Sequence, residues 1–306
     1  MQISMVAKKI FIYRIFVVTS ILFVSIFLLV KVKAATAPSV DTVNIAVSSG
    51  GEHQSDIDLV ESSTKSVYVH GDITDTDNCN NIDASSLELT LYRSSVVAGS
   101  SCTQYPNNCY RANVSSTLCS ISGCVLGIET TVQYECLVEL KHYAEPTDNG
   151  NYAADNWVAH VKVSDTDLLT GSNTSRTEVN SLVALSVSQT LDYSILAPSS
   201  TTAGDSILEV YNNGNVELDV LLSGTEMICT NGTIEVGNQR FSTNAGIEYE
   251  LMETLPLSAV TTTQLNIPKQ TSDSVSSKNI YFKLHAPVGV GGSCQGGYTV
   301  MGIASS

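Results

Sequence analysis

The chain has 306 residues, with 15 lysines and arginines against 30 aspartates and glutamates, for a formal net charge of −15. Such a surplus of carboxylates repels nucleic acid and anionic lipid head groups, which demand clustered basic side chains, so a nucleic-acid function is excluded. Only 15% of residues are charged while serine, threonine and asparagine abound, which suits neutral-polar sheet faces better than helices laced with ion pairs.

The N-terminus sets the expected compartment. Behind Lys8, Lys9 and Arg14 runs the uncharged stretch IFVVTSILFVSIFLLV, from Ile15 to Val30, and then small residues in KVKAATAP. A basic region, an apolar region and small residues make a secretory signal, with Val32 and Ala34 at the cleavage positions and Ala35 opening the mature chain. Sixteen residues at about 1.5 Å rise cover only about 24 Å, short of a hydrocarbon core of roughly 30 Å. The competing reading is a retained membrane anchor, in which IFIY extends the span and Arg14 snorkels to the interface. Both readings place residues 35–306 outside the cell, with membrane contact only through residues 1–34. Loss of those residues removes five basic side chains and no acidic one, leaving about −20.

Outside the cytosol, thiols pair. The eight cysteines, Cys79, Cys102, Cys109, Cys119, Cys124, Cys136, Cys229 and Cys294, form the even set a disulfide framework requires. No C-x-x-C occurs, and no nearby H-x₃₋₅-H completes a zinc finger, so zinc and thioredoxin-like redox chemistry recede. Cys229 and Cys294 stand alone in the C-terminal half and are expected to pair. For the others, the short-loop pairs Cys102 with Cys109 and Cys119 with Cys124 leave Cys79 with Cys136.

Alternation of period two dominates the rest of the chain. LELTLY puts Leu87, Leu89 and Leu91 on one face. YECLVEL does the same with Tyr134, Cys136, Val138 and Leu140, and NWVAHVKV points Trp157, Ala159, Val161 and Val163 inward and Val158, His160 and Lys162 outward. Turn signals separate such runs (TDNCNN, EPTDNGN, LLTGSN), and no amphipathic helix of ten residues is found. In the second half LEVYNNGNVELDVLLSG reads as a hairpin closed at Asn213-Gly214, followed by strands in TIEVGNQRF, TTQLNIP, NIYFKLHAP and YTVMGIAS. The expected fold is all-β, with two tandem immunoglobulin-like β-sandwich domains at 38–182 and 183–306 behind the signal or anchor of 1–34. The apolar, β-branched TEVNSLVALSVSQ suggests that the first domain runs straight into the second without a floppy linker.

WVAHVKVSDTDLLTGSNTS resembles the end of prokaryotic immunoglobulin-like modules on secreted proteins, and LEVYNNGNVELDVLLSG resembles the N-x-G-N hairpin of CARDB-like and NEW3-like surface domains. Each match covers about 20 residues. The resemblance implies sandwich folds used as spacers, stalks, or adhesive and carbohydrate-contacting modules, with no shared catalytic residue. The antibody-type Cys…Trp…Cys order is not reproduced, because Cys79 and Cys136 both precede Trp157.

Motifs for chemistry are few. GDSILEV superficially matches the motif of GDSL-type hydrolases, but Ser206 opens a strand and no D-x-x-H accompanies His285, so a plain strand start is the better reading. GVGGSCQGG lacks the lysine and helix of a phosphate cradle and reads as a flexible loop holding Cys294. Calcium is the one cofactor to entertain: Asp72, Asp75, Asp77 and Asp83, with Asp165 and Asp167, offer hard oxygen donors in two loops, against the simpler reading that such residues build turns. Tyr105, Tyr110, Tyr143 and Tyr152 lie in loops where they could stack on a glycan, and the five histidines show no ligand spacing. The expectation is a non-catalytic exported surface protein, structural or adhesive, whose partner is a protein or glycan of the cell envelope. The alternatives are a carbohydrate- or peptide-binding module and a filament or layer subunit built by strand addition.

Overall fold

The computed structural model describes residues 35–125, 128–188, 190–261 and 264–305. The expected signal or anchor at 1–34 lies outside the described residues, and no helix among those residues is long and apolar enough to cross a membrane.

The described chain is all-β, with a few single turns of 3₁₀ helix and no α-helix. In the first half ten strands follow in order: β1 (Ser39–Val40), β2 (Asn44–Ala46), β3 (Asp56–Ile57), β4 (Thr64–Thr74), β5 (Ile82–Arg93), β6 (Cys109–Asn113), β7 (Cys119–Ser122), β8 (Thr131–Lys141), β9 (Trp157–Asp165) and β10 (Thr170–Val179). One sheet runs β1-β4-β8-β7, with β2 also against β4, and a second runs β3-β10-β9-β5-β6. Among the described residues only β3 and β10 pair in parallel. The two sheets share a core in which Leu87, Leu89 and Leu91 of β5, Val67, Val69 and Ile73 of β4, and Trp157, Val161 and Val163 of β9 are buried. Each set recurs every second residue because side chains of a strand alternate between its faces. Val158, expected outward, is also buried at 6% exposure.

The second half holds β11 (Leu185–Val187), β12 (Ser206–Asn212), β13 (Leu218–Gly224), β14 (Met227–Asn231), β15 (Thr233–Ile234), β16 (Gln239–Ser242), β17 (Glu253–Thr254), β18 (Val260–Thr261), β19 (Ser276–Leu284), β20 (Gly291–Gln295) and β21 (Tyr298–Ala304). They form sheets β11-β12-β19-β16-β17, β18-β13-β21 and β15-β14-β20. Leu208, Val210, Val220, Leu222, Phe241 and Phe282 belong to a second core, and Met227, Cys229, Ile234 and Leu284 to a small satellite.

Two sequence readings are corrected here. The β12 and β13 strands do not form a hairpin: β12 pairs with β11 and β19, and β13 with β18 and β21, so the Asn-Asn-Gly-Asn turn carries the chain from one sheet to another. The GVGGSCQGG stretch is not a free loop, because β20 pairs with β14 and places Cys294 directly opposite Cys229.

Four disulfides close and no described cysteine is free. Cys229–Cys294 and Cys102–Cys109 join as the spacing suggests. The other two differ: Cys119 bonds Cys136 and Cys79 bonds Cys124. Sheet register explains the exchange, since Cys119 on β7 faces Cys136 on β8 as a direct cross-strand pair. Peptide mapping of the unreduced protein is expected to recover Cys119 linked to Cys136 and Cys79 linked to Cys124. A peptide joining Cys119 to Cys124 would contradict the β7–β8 register.

Candidate functional site

The feature with the most buried polar chemistry is the seam between the two cores. The connector from β10 to β11 is tied along its length. Leu182 donates its N–H to Asn215 Oδ1 at 2.6 Å, Asn215 returns its own N–H to the Leu182 carbonyl at 3.1 Å, and Asn213 donates to the Ala184 carbonyl at 2.9 Å. Asn215 is fully buried, and its Nδ2 reaches the carbonyls of Ala144 and Asn180, both in the first half, at 3.0 Å. A short amide that carries both donors and an acceptor suits this place, because each buried backbone group it meets would otherwise go unsatisfied. Asn212 acts likewise within the second half: its Nδ2 meets the carbonyls of Val216, Ile267 and Pro268, and its Oδ1 accepts from Gly214. At Gly214 a Cβ would stand 2.0 Å from the Leu182 carbonyl oxygen, so only glycine allows the two chain segments to approach.

Charge reinforces the seam. Arg93 ends β5 as the cross-strand partner of Trp157, whose indole N–H donates to the Glu145 carbonyl at 2.9 Å. The Arg93 guanidinium lies 3.8 Å from the centre of the Tyr152 ring, donates from Nε to Glu145 Oε2 at 2.6 Å, and pairs with Asp155. Lys269, from the second half, brings its Nζ within 3.8 Å of Glu145 Oε1. Two cations and two carboxylates thus balance in a largely dry setting, which is the condition under which buried charges are tolerated. Burial lowers the Lys269 ammonium below its ordinary pKa, with Glu145 opposing the fall and Arg93 adding to it. Asp155 is held below the usual carboxylate range: burial works against this, and hydrogen bonds from Ser95, Arg93 and Ser94 outweigh it. Further ties cross the seam from Asn107 Nδ2 to the Thr271 carbonyl at 2.6 Å, from the Tyr143 hydroxyl to Asp273 at 2.9 Å, and from Lys141 to Asp273 at 3.1 Å.

Beside these ties opens a cleft of about 370 Å³, lined by Ser62, Lys141, His142, Asn213, Gln270 and Asp273 among others. Burial lowers the His142 imidazole below its ordinary 6.5, opposed by Gln270, the Ser63 backbone and Asp273 and aided by Lys141. The Tyr143 phenol, mainly through burial and then through Asp273, is pushed up to about 12.

The residues singled out from sequence are dispersed. Asp72 lies on β4 and takes Thr42 as its partner, with Thr42 Oγ1 accepting the Asp72 N–H at 3.0 Å. Asp83 Oδ1 accepts from the Ser85 N–H and hydroxyl, and Asp165 Oδ1 from the N–H groups of Asp167 and Leu169. Asp75 Oδ1 accepts from the Asp77 N–H. These are turn geometries, and among the described residues no three His, Cys, Asp or Glu side chains gather where they could hold a metal between them. Of the four tyrosines expected in glycan-facing loops, Tyr110 and Tyr143 are buried, Tyr152 lies against Arg93, and Tyr105 alone of the four is exposed. The Ser206 hydroxyl donates to the Asp192 carbonyl, while the His285 ring meets Thr201, so each has a partner other than the one a nucleophile would need. The Arg93, Glu145, Asp155 and Lys269 set escapes sequence reading because its members are scattered. The one trace is an arginine closing the apolar strand LELTLYR.

No family model matches the chain, and no curated protein matches it. Among solved structures it is similar at 10% identity and TM-score 0.29 to dimeric latent PorU from Porphyromonas gingivalis, over 90% of this chain and 21% of that one. It is also similar at 8% identity and TM-score 0.16 to the secreted serine protease VesC from Vibrio cholerae, over 80% of this chain and 49% of that one. The chain therefore spans about a fifth of the first and half of the second, and at these scores neither likeness carries an argument about fold or activity.

Removing one member of the seam leaves buried partners with fewer pairings. Glu145→Ala is expected to cost about 3–5 kcal/mol, since Lys269 loses its carboxylate partner and Arg93 keeps only Asp155, and Asn215→Ala about 1–3 kcal/mol. Chemical denaturation would check both. His142 supplies a pH dependence. Its folded pKa lies below 6.5, so the unfolded chain binds the proton more readily; stability is full above pH 6.5 and falls as pH drops below it. His142→Gln is expected to flatten the part of the melting-temperature decline between pH 7 and 5 that His142 contributes. His160, also lowered mainly by burial, retains its own share.

Proposed function

We propose that this chain is an exported, non-catalytic surface protein in which two immunoglobulin-like sandwiches are joined in tandem as one structural or adhesive unit. The observation that carries this reading is the seam. Buried polar chemistry is spent on tying the first core to the second, through Asn215, Lys269 and Asp273, and the hydroxyl and imidazole singled out from sequence, Ser206 and His285, engage other partners. Four disulfides support an oxidising, extracellular setting, reached through residues 1–34 as a cleaved signal or a retained anchor. The partner in this reading is a protein or glycan of the cell envelope. The acidic surface disfavours nucleic acid.

A second reading, a carbohydrate-binding module, draws on one observation. On the β12–β19 face a polar cleft of about 400 Å³ is lined by Glu209, Asn244, Gln264, Ser277, Asn279 and Tyr281 among others. Glu209 accepts from the Tyr211 hydroxyl at 2.5 Å and the Ser277 hydroxyl at 2.7 Å, which hold its carboxyl below the usual range. Amide, hydroxyl, carboxylate and one aromatic wall are the groups that meet sugar hydroxyls and ring faces.

Treating intact producing cells with a membrane-impermeant amine reagent is expected to label the exposed Lys162 and Lys278, and thiol titration of the recovered protein to find no free cysteine. A protein that is labelled only after lysis and carries free thiols would overturn the reading.

A further inference from the structure

We propose that the open edge of β21 pairs antiparallel with the same edge of a second copy of this chain, forming a two-fold dimer centred on Met301. The register against β13 fixes which backbone groups face outward. Thr225 donates its N–H to the Gly297 carbonyl at 2.8 Å and Ser305 donates to the Glu217 carbonyl at 2.9 Å, at the two ends of the β13–β21 ladder. Hydrogen-bonded pairs alternate along an antiparallel ladder, so Thr299, Met301 and Ile303 direct their N–H and C=O groups to β13. Tyr298, Val300, Gly302 and Ala304 direct theirs away from it. β21 ends its sheet, and among the described residues no backbone hydrogen bond joins those four to another segment. Such a row of donors and acceptors is a template for a further strand.

Edges are commonly blunted against this, and β21 is not. It has seven residues and is the longest strand that ends a sheet among the described residues. β6 and β20 follow with five residues each; β6 carries Arg111, and the pairing of β14 with β20 is broken by a register shift. Charge and irregularity are devices that discourage strand addition. β21 reads YTVMGIA, without charge or proline, and no charged side chain lies between residues 286 and 306.

The edge fits itself. Antiparallel pairing centred on Met301 sets Tyr298 opposite Ala304 of the second copy and Val300 opposite Gly302 of the second copy, and the reverse by symmetry. All four outward residues of each copy then exchange both of their hydrogen bonds, and a large side chain meets a small one in each pair. Val183, 43% exposed, lies 3.4 Å from where a Cβ on Gly302 would stand, so the arriving valine meets an apolar wall. On the other side of the sheet Met301, 48% exposed, faces its own counterpart across the axis. A chain of formal net charge −15 repels its own copies over much of its surface, and a strand without charge is where two of them meet at least electrostatic cost. Because one edge serves both partners, the assembly closes at two copies.

The test is sedimentation equilibrium of the exported, disulfide-bonded protein from about 1 µM to about 1 mM, a range that reaches weak interfaces. A monomer–dimer equilibrium with no larger species is expected. Met301→Lys sets two ammonium groups opposite each other and is expected to weaken the dimer about fivefold or more, while the dilute protein melts as the parent does. Met301→Cys, mildly oxidised, is expected to give a covalent dimer linked through position 301, because opposed Cα atoms of a non-hydrogen-bonded pair lie about 4.5 Å apart, within the reach of a disulfide. Thr299→Cys is expected not to link, since its two copies stand about 14 Å apart. A parent that stays monomeric throughout would overturn the proposal, as would a dimer that Met301→Lys leaves intact or association that grows past two copies. Equal linking at positions 299 and 301 would overturn the pairing as well. If Met301→Lys fails to fold, the two cysteine variants decide between these outcomes.

Discussion

Two β cores in one chain are held together by a handful of buried side-chain amides, and the rest of the architecture depends on them. Backbone groups at a seam between sheets have no ladder to join, and a carbonyl buried there without a donor is costly. Asn215 answers for Ala144, Asn180 and Leu182 at once, and Asn212 for Val216, Ile267 and Pro268. Hydrophobic burial drives each core separately, but it does not set where one core meets the other. That direction comes from hydrogen bonds, which are geometric in a way that apolar contact is not.

The charged set works under the same constraint. A buried ion pair adds little net stability over well-packed apolar groups, because desolvation offsets the attraction. Its consequence is specificity: Arg93 is oriented by Glu145, Asp155 and the Tyr152 ring, so Lys269 has one place to meet the remaining Glu145 oxygen. The indole N–H of Trp157 then links this polar patch to the apolar layer beneath it. Core, seam and charge set are thereby coupled through three neighbouring positions, Arg93, Glu145 and Trp157.

Much of the fold was legible in the sequence, and the failures share a cause. Alternation in LELTLY and YECLVEL identified strands and their buried faces, since the period of a strand is a local property. What lay beyond local reach was pairing. Asn-Asn-Gly-Asn looks the same whether the strands it joins are hydrogen-bonded neighbours or lie in different sheets, and Cys119 is close in sequence to Cys124 while the register sets it opposite Cys136. The candidate site was still less visible. Its members at 93, 145, 155, 215 and 269 have no common spacing, and Tyr110 and Tyr143, which looked like loop aromatics, prove to be packing residues. The acidic loops were legible as turns, but that Asp75 and Asp165 are buried while the other aspartates of these loops are not was beyond local reach.

The Cys229–Cys294 bridge, which joins neighbouring strands across a separation of 65 residues, has a mechanical meaning. If the chain is pulled from its ends, the segment between those two sulfurs cannot lengthen until the bond is reduced. At about 3.4 Å per extended residue, roughly 220 Å of slack stays locked. A chain stretched between two anchorages would then stop short of its full contour length by at least that amount.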